Sequence, residues 1–150
     1  MNLAEILKGN SAAEPAWAEK GGVFWMNCEG CPVRDVAKAM HDVGARFVTI
    51  TAYQLPASEG FRLEYHWDLQ GRLLGFAFQI TGGSIESIYD LCEAADWIER
   101  EVHEEYAIDF TGRRYEPLLL REGQTPGVNL RETAPAAKPA PGAEQKEAAR

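Results

Sequence analysis

Only three cysteines occur in 150 residues, an odd number that excludes a disulfide framework. Basic residues are also few, 15 Lys and Arg against 23 Asp and Glu, for a formal charge of -8. Duplex nucleic acid would need a basic face, and none is visible. No window approaches the ~20 apolar residues of a membrane span. The opening MNLAEILKGN lacks a basic stretch followed by an apolar one, so no secretory leader is read there. These absences predict an acidic protein of a reducing cytoplasm that meets proteins, and meets a membrane only through a partner. What is present suffices for a core: 45% of residues are hydrophobic and 10% aromatic.

Leu3, Ile6 and Leu7 share one side of a predicted short helix over Met1–Lys8, and residues 9–20 read as a linker. From Thr133 the chain is rich in Ala and Pro, holds no large apolar residue, and is expected to be disordered. The predicted domain is 21–121, between a 1–20 lead and a 122–150 tail. Val23–Asn27 is a strand candidate. Val33, Val36, Ala37, Met40 and Val43 recur at helical spacing, with Gly44 as a stop. RFVTITAY is β-rich. Phe61, Leu63, Tyr65, Trp67 and Leu69 alternate strictly with polar residues, Gln70-Gly71 turns the chain, and RLLGFAFQI returns as a central strand. Ile85, Ile88, Leu91, Cys92 and Ala95 suit a helix capped by Ser84, and Asp96 with Glu99 suits a capping box for a second helix from Trp97. The order β-α-β-β-β-α predicts an α+β two-layer sandwich: a mainly antiparallel sheet of about four strands with helices on one face.

Cys28-Glu29-Gly30-Cys31 lies between a strand and a helix, the layout of a dithiol redox site or half of a metal site. Pro32 makes Cys31 the N-cap candidate and leaves Cys28 outside the helix. The other possible ligands, Cys92, His41, His66 and His103, fall at no motif spacing. The plain alternative is two small thiols at a buried corner. His103 with Glu99, and Arg100 with Glu104, are spaced for surface ion pairs on a solvated charged face. Gly82-Gly83-Ser84 lacks the Walker lysine and the dinucleotide pattern, and reads as a turn and cap.

Ala95–Gly112, ADWIEREVHEEYAIDFTG, resembles the signature of the 30-kDa subunit family of respiratory complex I. That signature runs Trp, any residue, Glu-Arg-Glu, an acidic residue, an aromatic, Gly-Ile, an aromatic and Gly-His-Pro. Trp97, Glu99, Arg100, Glu101, Glu104, Tyr106, Ile108, Phe110 and Gly112 occupy the matching places. The likeness extends over Arg46–Arg121, about half of the chain. Ala107 stands where the family usually has Gly, and Arg113-Arg114 replaces His-Pro. The reduced form is similar to the equivalent subunit of energy-converting [NiFe] hydrogenases of the Ech or CO-induced type. The resemblance implies a peripheral, cofactor-free, non-catalytic subunit on the cytoplasmic side of the membrane. Its implied partners are the large catalytic subunit and the small iron–sulfur subunit. Arg100 and the neighbouring glutamates are then expected either to contact that partner or to fix the turn after the helix. Phe110–Leu120 is expected to reach over the partner as an arm, with Leu118, Leu119 and Leu120 as anchors.

Overall fold

The computed structural model describes residues 17–28, 30–56 and 59–131. The helix expected over Met1–Lys8 and the tail from Thr133 lie outside them. Among the described residues, seven strands and two helices follow in the order β1 (Ala18–Lys20), β2 (Val23–Asn27), α1 (Val33–Asp42), β3 (Arg46–Gln54), β4 (Phe61–Leu69), β5 (Arg72–Ile80), β6 (Ser84–Glu86), α2 (Ala95–Tyr106) and β7 (Asp109–Thr111).

The first five strands form one sheet in the order β1-β2-β5-β4-β3. The expected α+β sandwich is therefore present, with a fifth strand drawn from the predicted linker and a mixed sheet. β2 pairs parallel to β5, while β1–β2, β3–β4 and β4–β5 are antiparallel. α1 carries the chain from β2, past β5 and β4, to the far edge at β3. Its Val33, Val36, Ala37, Ala39 and Met40 are buried on the way. Pro32 itself occupies the N-cap, so Cys31, the predicted cap, lies one residue before it.

The alternation in β4 sends Leu63, Tyr65 and Trp67 into the core. Opposite them, β3 contributes Phe47 and Ile50. Those two would point to opposite faces of a regular strand. A bulge between Phe47 and Thr49 takes up the extra residue and turns both inward. β5 is buried on both faces from Leu74 to Phe78, as expected for a central strand. Gln70 and Gly71 both have positive φ, 53° and 81°, the geometry of a two-residue hairpin turn. On the helix-free face, Trp25 lies so close to Gly75 that a Cβ there would sit 2.5 Å from its ring.

The helix expected from Ser84 does not form. Ser84–Glu86 is instead a short strand parallel to β7. The Ser87 N–H continues that pairing, donating to the Thr111 carbonyl at 3.0 Å. Ile88 is still buried, and only one helical turn follows, closed by Cys92 N–H on the Ile88 carbonyl at 2.8 Å. The second helix starts at Ala95, with Ala94 as N-cap and no capping box.

Candidate docking face around the second helix

Trp97, Arg100, Glu101 and Glu104 recur at three- and four-residue spacing, which places them along one side of α2. Glu99 faces the other way, into the fold. The predicted solvated face is not what these residues build, because Glu99 and Glu104 are both buried.

Glu99 is 0% exposed. Its carboxylate accepts from the Ser87 hydroxyl, from the Ile88 N–H at 2.7 Å and from Arg113 at 2.8 Å. Burial raises its pKa above the usual carboxylate value, although all three donors oppose this. Arg113 is only 3% exposed in its side chain and also bonds the Asp96 carboxylate and carbonyl. Its guanidinium carbon lies over the Tyr89 and Tyr115 rings, 4.9 and 5.3 Å from their centroids. Asp96 thus serves as an ion-pair partner of Arg113 and Arg100, not as the cap its spacing suggested. From α1, Arg34 forks onto both Asp90 oxygens at 2.7 Å and reaches the Ser87 carbonyl at 2.6 Å. The 87–90 loop is therefore held from two helices.

Arg100 and Glu104 hold the segment after β7. Arg100 donates to the Glu116 and Pro117 carbonyls, both at 3.0 Å. Glu104 accepts from the Leu118, Leu119 and Leu120 N–H groups at 2.6, 2.7 and 3.0 Å. Burial pushes its carboxyl pKa up, those three donors pull it down, and the balance lies below the usual value. Of the two roles expected for Arg100 and the glutamates, fixing the chain after the helix is what these contacts do. The arm from Phe110 does not simply extend outward. Phe110 is fully buried in β7, and 113–120 folds back on α2.

The end of α2 is closed from two directions. The Ala107 N–H donates to the His103 carbonyl, while Gly127 and Asn129 donate to those of Glu104 and Glu105, each at 2.8 Å. Ala107 has φ 54° and ψ 28°, the left-handed cap usually given to Gly. His103 pairs neither with Glu99 nor with a metal cluster of described residues. Its Nδ1 donates to the Ile108 carbonyl at 2.9 Å, and its ring stacks on Tyr115 at 3.8 Å. Tyr106 packs edge-on against Phe61, and Ile108 is fully buried. Gly112, with φ 86°, turns the chain back toward Arg113.

Among the described residues, the three most exposed large apolar side chains lie on α2 and the segments after it. Trp97 is 68% exposed at the start of the α2 side whose Arg100 and Glu104 hold the arm, Leu119 is 64% exposed on the arm, and Val128 is 59% exposed beyond it. Exposed apolar side chains on a helix and a clamped arm suit contact with another protein.

Cys28 lies in the hydrophobic core, and its N–H extends the β2–β5 ladder by donating to the Ala77 carbonyl at 2.8 Å. Burial, reinforced by Cys31, pushes its thiol up to about 12. That is opposite to the depressed pKa of a reactive dithiol. Both cysteines are free thiols, and among the described residues no group of three or more His, Cys, Asp or Glu is placed to hold a metal.

The family pattern of the respiratory-chain NADH dehydrogenase 30 Kd subunit matches residues 27–140. The chain belongs to that family. Among curated proteins nothing matches. Among solved structures, the chain resembles a trypsin-resistant fragment of Nqo5, with a TM-score of 0.56 and 18% identity over 68% of this chain and 89% of that one. It also resembles a chain from the membrane-bound sulfane sulfur reductase, an archaeal respiratory membrane complex, with a TM-score of 0.59 and 21% identity over 73% of this chain and 68% of that one. Both likenesses are of fold. The chain is thus a complex-I-like respiratory subunit, and no described helix is long and apolar enough to cross a membrane.

Spacing along the sequence does not point to Arg113 or Arg34 as members of this network. The available signal for Arg113 is its place directly after the matched Gly112, where the family pattern has His. For Arg34 there is none, because its partners Ser87 and Asp90 lie more than fifty residues away.

Proposed function

We propose that the chain is a non-catalytic peripheral subunit that docks on the large catalytic subunit of a membrane-bound oxidoreductase and holds it beside the small iron–sulfur subunit. The reading is carried by one observation. The ionisable residues Glu99, Arg100 and Glu104 of the matched signature fasten this chain's own loop and arm, while Trp97 at the head of the same helix stays exposed. Such a site shapes a surface, because Glu99, Arg100 and Glu104 are committed to holding the chain's own fold.

Within this class the complex is an energy-converting [NiFe] hydrogenase. Supporting this, Arg113-Arg114 stands where the complex I pattern has His-Pro, and Arg113 is built into the fold as an ion-pair partner. The fold is also not confined to NADH dehydrogenases, since a membrane-bound sulfane sulfur reductase contains it. The second reading is the 30-kDa subunit of NADH:quinone oxidoreductase, favoured by the family match itself.

Affinity purification of the native complex through a tag on this chain tests the proposal. The expected result is a nickel-bearing large subunit and a small iron–sulfur subunit, in a membrane fraction released by detergent. Nucleotide- and flavin-binding chains in the purified complex would shift the assignment to NADH:quinone oxidoreductase. Recovery of the chain alone would overturn both. Trp97→Ala should lower co-purification tenfold or more while leaving the unfolding midpoint of the isolated chain unchanged.

A further inference from the structure

The arm does not lie flat on α2. Between them is a cleft of about 370 Å³. Tyr115, Pro117, Leu120 and Pro126 give it apolar walls, and Arg100 and Glu104 lie beneath. The polar groups that α2 places in it are already engaged. Arg100 holds the Glu116 and Pro117 carbonyls, Glu104 holds three N–H groups, and the Nδ1 of His103 holds the Ile108 carbonyl. A small-molecule site needs a few placed polar groups left free to orient its ligand. This cleft offers apolar walls instead, next to the exposed Leu119, which is the form of a pocket that receives an anchoring side chain from another protein.

The surroundings favour one sign of charge. Glu116 and Glu122 line the cleft and are exposed, and Glu101 stands on the adjoining helix face. None of the three forms an ion pair among the described residues. Arg121 is the one exposed base on the lining. Burial, and then repulsion from Glu101, raises the Glu105 carboxyl, as expected where acids crowd together. The whole chain carries a formal charge of -8.

We propose that this cleft is a socket for an aliphatic or aromatic side chain of the partner subunit, presented on a segment with lysine or arginine beside it. The inference rests on the docking role proposed above and names the chemistry of what is docked. The apolar side chain fills the space under the arm, and the flanking cation meets Glu116 and Glu122. The long-range part of that attraction governs association rate and partner choice more than final affinity.

Photo-crosslinking in the native complex tests it. A benzophenone side chain is placed at Pro126, on the cleft, and separately at Trp97, on the helix. The Pro126 site should crosslink a partner segment in which an apolar residue lies within two positions of a lysine or arginine. Reversing Glu116→Lys together with Glu122→Lys should lower co-purified partner tenfold or more, and reversing the partner's cation should restore it. Far-UV circular dichroism of the double variant, unchanged, separates this loss from misfolding. Crosslinks from Pro126 to residues 132–150 of the same chain, to a second copy, or to an acidic segment would each overturn the socket. So would silence at Pro126 while Trp97 crosslinks the partner, an outcome that leaves the docking role standing. Silence at both positions, with no co-purification, would remove the docking role as well.

Discussion

Arg113 reaches the fully enclosed carboxylate of Glu99 at 2.8 Å from fourteen residues further along the chain. The pair joins the middle of α2 to the turn after β7. Ser87 and Ile88 complete the carboxylate's bonding, so a loop, a helix and an arm share one buried charge. Removing Arg113 leaves that charge without its counter-ion. Arg113→Ala is expected to destabilise the chain by about 3–5 kcal/mol, the usual loss when one member of a buried ion pair is removed. Glu99→Ala should cost a similar amount, and the double variant should cost well below the sum of the two. Urea unfolding of the three variants measures the coupling. Strict additivity would show that the two side chains stabilise the fold independently.

Glu104 and Glu99 respond to acid in opposite directions. Three N–H groups of the arm hold Glu104 below the usual carboxylate value, so its stabilising contribution is present above the ordinary Glu value of about 4.3 and fades as pH falls through the folded value. Burial holds Glu99 above that value, so its ionisation opposes folding, and its contribution is greatest at low pH and lost as pH rises through its folded value. Glu104→Gln should therefore cost about 1–3 kcal/mol at neutral pH, through weaker acceptance from Leu118, Leu119 and Leu120. Its difference from the parent should shrink toward pH 3. Urea midpoints measured from pH 3 to 7 check this. A difference that stays constant across that range would mean that the Glu104 charge is not what holds the arm.

The two kinds of pattern in the chain are legible to different degrees. Phe61–Ile80 can be read as a hairpin because strict alternation and Gln70-Gly71 have only one common structural meaning. The spacing of Ile85, Ile88 and Leu91 has two. It suits a helix face, and it equally suits a three-residue strand followed by a single turn, and pairing with β7 selects the second. The bulge that turns both Phe47 and Ile50 inward leaves no local mark. In the site, the positions Trp97–Gly112 are visible as a family likeness, but the direction of each charge is not. Helical spacing places Glu99 beside His103, and only the tertiary positions of Ser87, Ile88 and Arg113 draw it inward.

Ala107 closes α2 in the left-handed conformation, which a Cβ disfavours and which the family usually gives to Gly. Its backbone N–H already caps His103, so the geometry needs no change on substitution. Ala107→Gly is expected to stabilise the chain by about 0.5–1 kcal/mol, after the greater freedom of Gly in the unfolded chain offsets part of the relief. A thermal melt of the isolated chain should show a rise of a few degrees. A fall would mean that the Ala107 methyl makes a packing contact worth more than the strain.

Cys28 is enclosed beside Met26 at the strand-to-helix corner, while Cys31 and Cys92 are only partly covered. With its thiol pushed up to about 12, almost none of Cys28 is thiolate at neutral pH. In the folded chain an aromatic disulfide reagent should label Cys31 and Cys92 and leave Cys28 unmodified until denaturant is added. Peptide mapping after labelling identifies which sulfur reacted. Cys28→Ser would bury a hydroxyl where a thiol now packs and should cost about 1–3 kcal/mol. Cys31→Ser, at a partly exposed position, should change stability by about 0.5 kcal/mol or less. Rapid native labelling of Cys28, faster than global unfolding, would show that the corner opens and would return the pair to consideration as a dithiol site.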